Sequence, residues 1–122
     1  MKKIQDIFKA LGDSGCLIFC YLHEANIKVD VAKYFNELVE LDIIDNDCYV
    51  NDGNRLLKYF GSDKRIGRGI NEAGNTIVPF KYGTLEHFVV VNTRQEIVFN
   101  SLENSQCVRL GEPNWEKARY LY

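Results

Sequence analysis

Cys16 follows a loop of small and capping residues, Gly12-Asp13-Ser14-Gly15, and opens an apolar run, Leu17-Ile18-Phe19-Cys20-Tyr21-Leu22. A run that is apolar on every side predicts a buried helix, here from Cys16 to about Ala25. A thiol in the first turn of a helix meets free backbone N–H groups and the positive end of the dipole. Both favour thiolate. Cys16 is therefore a candidate nucleophile for acyl transfer, and the remaining residues must supply a base.

Only two histidines are present, His23 and His87. His23 lies two turns down the same helix, too far along its axis to meet Cys16. His87 begins a Val-rich strand, Glu86-His87-Phe88-Val89-Val90-Val91. An imidazole base needs an orienting acceptor. If Thr93-Arg94 is a two-residue hairpin turn, Asn92 pairs with Gln95, Val89 with Val98 and His87 with Asn100. Directly opposed side chains lie about 4.5–5.5 Å apart at Cβ, close enough for the Asn100 carbonyl to accept an imidazole N–H. Each residue also has a plainer reading. A free cysteine usually fills core space, a strand histidine can be a satisfied structural residue, and Asn-Ser favours turns.

The elements that would hold these residues follow from hydrophobic spacing. Ile4, Ile7, Phe8 and Leu11 recur at helical intervals, giving a short amphipathic helix that Gly12 ends. Asp30 can cap a third helix with Val31, Tyr34, Phe35, Leu38 and Leu41 inward. Asp45 to Asp47 form a polar turn before an extended Cys48-Tyr49-Val50. Asp52 can cap a fourth helix, closed by Gly61. Residues 62–75, rich in Gly and charge, read as a surface loop. Beyond them lie extended segments at 77–78, 85–92, 96–100 and 106–110, while 111–122 is helix or strand. Helices first and an antiparallel meander after them predict one α+β domain over residues 1–122, with N-terminal helices packed on a C-terminal sheet.

Composition narrows the classes. Apolar residues are 46% and charged residues 26%, as in ordinary globular chains. A net charge of −2 offers no positive field to nucleic acid. Met1-Lys2-Lys3 is followed by no long apolar segment, so neither signal peptide nor membrane span is expected, and the cytoplasm is the expected location. The four cysteines, Cys16, Cys20, Cys48 and Cys107, are then expected as free thiols. No metal or other cofactor is called for.

Ser14-Gly15-Cys16, His87-Phe88-Val89-Val90-Val91 and Ile97-Val98-Phe99-Asn100 together resemble the papain-like cysteine peptidases. The nearest likeness is to their compact bacterial branch, which includes the bacteriocin-leader-processing peptidases. The resemblance runs from about Gln5 to Leu110. It implies a papain-like fold and a Cys16-His87-Asn100 triad acting on a peptide or other amide, in a bacterial or phage setting. That family also places a Gln before the Cys to bind the oxyanion. Gln5 is the only glutamine before Cys16, eleven residues away, a longer gap than in papain. The family's frequent Gly-Pro after the Cys is replaced here by Leu17-Ile18.

Two other classes compete with the hydrolase. A degenerate papain-like domain would bind a peptide and cleave nothing. A structural zinc site would use Cys16, Cys20 and His23, at i, i+4 and i+7 on one side of a helix, with Cys48 or Cys107.

Overall fold

The apolar run from Cys16 forms α2 (Cys16–Glu24) at the centre of the computed structural model, which describes every residue from Met1 to Tyr122. Ile18, Cys20, Tyr21 and Leu22 are buried. Ahead of it, α1 (Ile4–Ser14) buries only Ile7 and Leu11, and Ile4 and Phe8 stay exposed. This helix runs past Gly12, whose position is open, and stops where Gly15 joins it to α2. Gly15 N–H bonds the Leu11 carbonyl at 2.9 Å, and a Cβ on residue 15 would lie 2.5 Å from that oxygen. Only glycine lets α1 turn so tightly into the start of α2.

The later helices begin at the expected caps. Asp30 Oδ1 accepts the Ala32 N–H at 3.3 Å, which opens a 3-10 turn (Val31–Tyr34) running into α3 (Phe35–Glu40). Val31, Phe35 and Leu38 are buried there, whereas Tyr34 and Leu41 face outward because the 3-10 turn changes the period. Asp45 Oδ1 accepts the N–H groups of Asp47 and Tyr49, making the polar turn. Asp52 Oδ1 accepts the Arg55 N–H at 3.1 Å and caps α4 (Gly53–Tyr59).

Six strands follow: β1 (Ile66–Arg68), β2 (Thr76–Tyr82), β3 (Leu85–Val91), β4 (Ile97–Phe99), β5 (Glu112–Pro113) and β6 (Arg119–Leu121). All pairings are antiparallel, in the order β1-β6-β2-β3-β4, with β5 also on β2. Two local expectations need correction, and the open one at the C-terminal end is decided. Residues 62–75 are not all loop, since they contain β1, which pairs with β6 at the far end of the chain. Residues 106–110 form α5 (Gln106–Leu110) and not a strand. A short apolar run does not distinguish the two states by period alone. Residues 115–121 form a 3-10 turn (Trp115–Lys117) and then β6.

The sheet is buried on both faces. Ile77 and Val90 belong to the main core with Ile18, Phe35, Leu38, Leu56 and Leu57. On the other face Val78, Val89, Val91 and Ala118 pack under Val108 of α5 and under Trp115. The architecture is α+β, as expected, but its helices are not confined to one side: α5 covers the face that the first four helices leave open.

Candidate active site

His87 and Asn100 meet, though not by the expected register. Asn92 N–H bonds the Glu96 carbonyl at 2.9 Å, and Gln95 has φ +63°. The turn therefore holds three residues, Thr93 to Gln95, and ends on a left-handed residue. Asn92 Oδ1 fixes it by accepting the N–H groups of Arg94 and Glu96, at 2.9 and 3.0 Å. Farther along, Val91 pairs with Ile97 but Val90 pairs with Phe99, so Val98 is bulged out. Val89 and Val98 are thus not opposed, and neither are His87 and Asn100. Each one-residue slip turns a strand over. Two slips restore the original face, and Asn100 falls beside Val89, diagonal to His87 and on the same side.

The pair is then closed by a short hydrogen bond. His87 Nε2 lies 2.6 Å from Asn100 Oδ1. The same Oδ1 accepts the Leu102 backbone N–H at 3.0 Å. A backbone N–H requires an acceptor, so this atom is the amide oxygen. An amide oxygen cannot donate, so His87 Nε2 carries the hydrogen. Nδ1 is left with its lone pair; it makes no hydrogen bond within the protein and reaches solvent. His87 is buried, with 7% of its surface exposed, which holds the ring in this orientation.

The Cys16 thiol, at the start of α2, meets the residue that follows His87 in β3. Phe88 N–H donates to Cys16 Sγ at 3.5 Å. Beyond Phe99 β4 has ended, so no strand competes for that N–H on this side. No hydrogen bond joins Cys16 to His87 directly. Against the sequence expectation, the thiol is not acidified. Burial is the largest influence and pushes the Cys16 pKa above the ordinary thiol value. The N–H groups of Phe88, Leu17 and Cys16 itself pull it down, and the neighbouring Cys107 adds a smaller upward push. Cys16 at rest is a thiol that accepts backbone hydrogen bonds and needs a base to ionise.

Gln5 is not part of the cluster. It is exposed near the start of α1 and makes no hydrogen bond to the site. Nine helical steps separate it from Ser14, about 14 Å of rise, too far for its amide to serve an oxyanion at Cys16. The zinc alternative also lacks its geometry, because nowhere do three His, Cys, Asp or Glu side chains converge to hold a metal. His23 instead stacks on Phe99, with ring centroids 4.4 Å apart, and its Nδ1 lies 3.1 Å from Glu24. Cys20, Cys48 and Cys107 are buried free thiols. A polar hollow of about 630 Å³ beside α4 contains none of the three candidate residues.

Sequence reasoning missed the backbone groups of Phe88 and Leu102. Every residue but proline has an N–H, so residue type carries no signal for them. Comparison of the chain with family models, curated proteins and solved structures gave no match. No helix is long and apolar enough to cross a membrane.

Proposed function

We propose that the chain is a compact papain-like cysteine hydrolase that cleaves a peptide or other amide bond through Cys16, His87 and Asn100. One observation carries the reading. The 2.6 Å bond to Asn100 holds the His87 proton on Nε2 and leaves Nδ1 as a base, while the next residue's N–H holds Cys16 Sγ. The nucleophile at a helix start and the base on an antiparallel sheet also fit the papain-like arrangement.

The chemistry follows from these protonation states. His87 Nδ1 takes the Cys16 proton as sulfur attacks the amide carbonyl. The backbone N–H of Cys16 stabilises the oxyanion, with no help from Gln5. Imidazolium then gives its proton to the leaving amine, and a thioester remains on Cys16. Water, deprotonated by His87, attacks the thioester, releases the carboxylic acid and returns the proton to sulfur. Asn100 stays neutral and orients the ring throughout.

A peptide-like electrophile such as a peptidyl vinyl sulfone tests the proposal, with adducts located by mass spectrometry. One adduct on Cys16, lost in His87→Ala while the fold persists, is the expected result. Equal modification of Cys16 in both proteins, or none in either, would leave a binding domain with a core thiol.

A further inference from the structure

Arg68 of β1 and Arg119 of β6 are direct cross-strand partners. Arg119 is also level with Ile77 of β2, a fully buried residue of the helix-side core. Both arginines therefore lie on the face of the sheet that elsewhere is apolar. There they line a cleft of about 340 Å³ together with Leu17 and Tyr21 of α2 and with Asn51 and Asn54. Like charges directly opposed on a sheet repel. The ion pairs of the protein are Lys9–Asp13, His23–Glu24 and Lys117–Glu86, so neither arginine is neutralised. Asp52, the acidic group of the cleft, spends its Oδ1 on the Arg55 N–H.

Arg119 is held in place without being satisfied. Its Nη1 donates to Tyr21 Oη at 3.1 Å, its Nε and Nη2 donate to the Lys117 carbonyl at 3.2 Å, and its Cζ stands 5.1 Å from the centre of the Phe88 ring. Both guanidiniums face the Tyr21 phenol: burial raises its pKa, and Arg119 and Arg68 oppose that rise. Arg68 is exposed and makes no hydrogen bond. The cleft is lined by none of Cys16, His87 and Asn100 and lies on the face of the sheet opposite His87. It approaches the candidate nucleophile through Leu17, which follows Cys16, and through Arg119, which lies over the ring of the residue bonded to Sγ.

We propose that this cleft is a subsite for a carboxylate of the substrate, taken by the free fork of Arg68 and by the N–H groups that Arg119 Nη1 and Nη2 have left over from Tyr21 and the Lys117 carbonyl. Paired guanidiniums match a carboxylate's two oxygens, and the ligand would supply the charge that the cross-strand pair lacks. The carboxylate belongs to an acidic side chain near the scissile amide or to a free C-terminus close to it. Its role in choosing substrates rests on the hydrolase reading, but its binding does not.

The test titrates the Cys16→Ala protein, so that nothing turns over, while following the arginine Nε–H signals by NMR. The probes are acetyl-Gly-Glu-Gly-amide, its Gln counterpart, and acetyl-Gly-Gly-Gly with a free carboxylate. The Glu peptide or the free-acid peptide is expected to move the Arg119 and Arg68 signals and to bind on the order of tenfold more tightly than the Gln peptide. Which of the two does so identifies the source of the carboxylate. Arg68→Gln, on an exposed position, should remove that preference, and Arg119→Lys should weaken it. Equal binding of all three probes, or a preference unchanged by Arg68→Gln, overturns the subsite. Carboxylate binding together with an inert Cys16 would overturn the hydrolase reading alone.

Discussion

The bond between His87 and Asn100 can be weighed by removing each partner. Asn100→Ala deletes the acceptor of a buried imidazole N–H and of the Leu102 N–H. Leu102 is exposed, so water replaces the second bond at little cost. The first is different, because His87 is 7% exposed and its Nε2–H would be stranded. A buried donor left unpaired costs about 1–3 kcal/mol, whereas the net worth of a neutral bond is about 1 kcal/mol. Asn100→Ala should therefore lower unfolding stability by about 1–3 kcal/mol. His87→Ala also removes packing against the sheet, so its loss alone says little about the bond. A double-mutant cycle isolates the pair. Urea unfolding of wild type, Asn100→Ala, His87→Ala and the double variant should give a coupling of about 1–2 kcal/mol. Asn100→Asp, which keeps an acceptor, should retain most of the stability that Asn100→Ala loses. A coupling below about 0.5 kcal/mol, the usual additivity error, would refute the argument. The imidazole would then be oriented by its packing, and the proton assignment to Nε2 would lose its basis.

Cys16 is pushed up by burial, so its alkylation rate in the free protein should keep climbing with pH beyond the ordinary thiol value; a plateau already present at pH 6 would mean a preformed ion pair with His87. Burial, and then the nearby Asp45, push the Cys48 thiol up to about 12. Its raised folded value means that its contribution to stability is whole below the unfolded thiol pKa of about 9 and is lost as pH rises toward 12. Cys48→Ala should flatten the alkaline fall in unfolding free energy over that window, and an unchanged curve would count against it. Gly15→Ala should destabilise the protein by roughly 1–3 kcal/mol and slow Cys16 labelling, because the new Cβ meets the Leu11 carbonyl. Gln95→Gly, at φ +63°, should raise stability by about 0.5–1 kcal/mol in thermal or urea unfolding; a loss would mean that the turn is not strained.

What could be read from the sequence depended on how local the cause was. Asp30 and Asp52 cap their helices because an N-cap needs only a side-chain oxygen and the next few N–H groups. The start of α2 was legible for a similar reason, since glycine, a break and an all-apolar run occur within a few residues. β1 was not legible, because its partner β6 lies more than fifty residues away and no local pattern marks the match. α5 was misread because five residues are too few to show a period. The candidate triad is the instructive case. His87 and Asn100 were paired from a register that is wrong by two residues, one from the turn and one from the bulge at Val98. Their contact survives because alternation has period two. The loss of Gln5 and the upward push on Cys16 both depend on three-dimensional distance and burial, which spacing does not carry.

The place of β6 in the sheet has a consequence for how the molecule is made. β6 lies between β1 and β2, yet in chain order it follows every other strand. Until residues 119–121 have left the ribosome, β1 has no neighbour and the inner edge of β2 is open. The first helices can gather on β2 and β3 earlier, but the sheet closes last, and β1 to β6 is the longest separation between paired strands. A nascent chain would thus carry Cys16 early, without the Arg119 side of the cleft. Removing the residues of β6 by proteolysis would return the protein to that unfinished condition, with β1 detached and an open β2 edge able to recruit another chain.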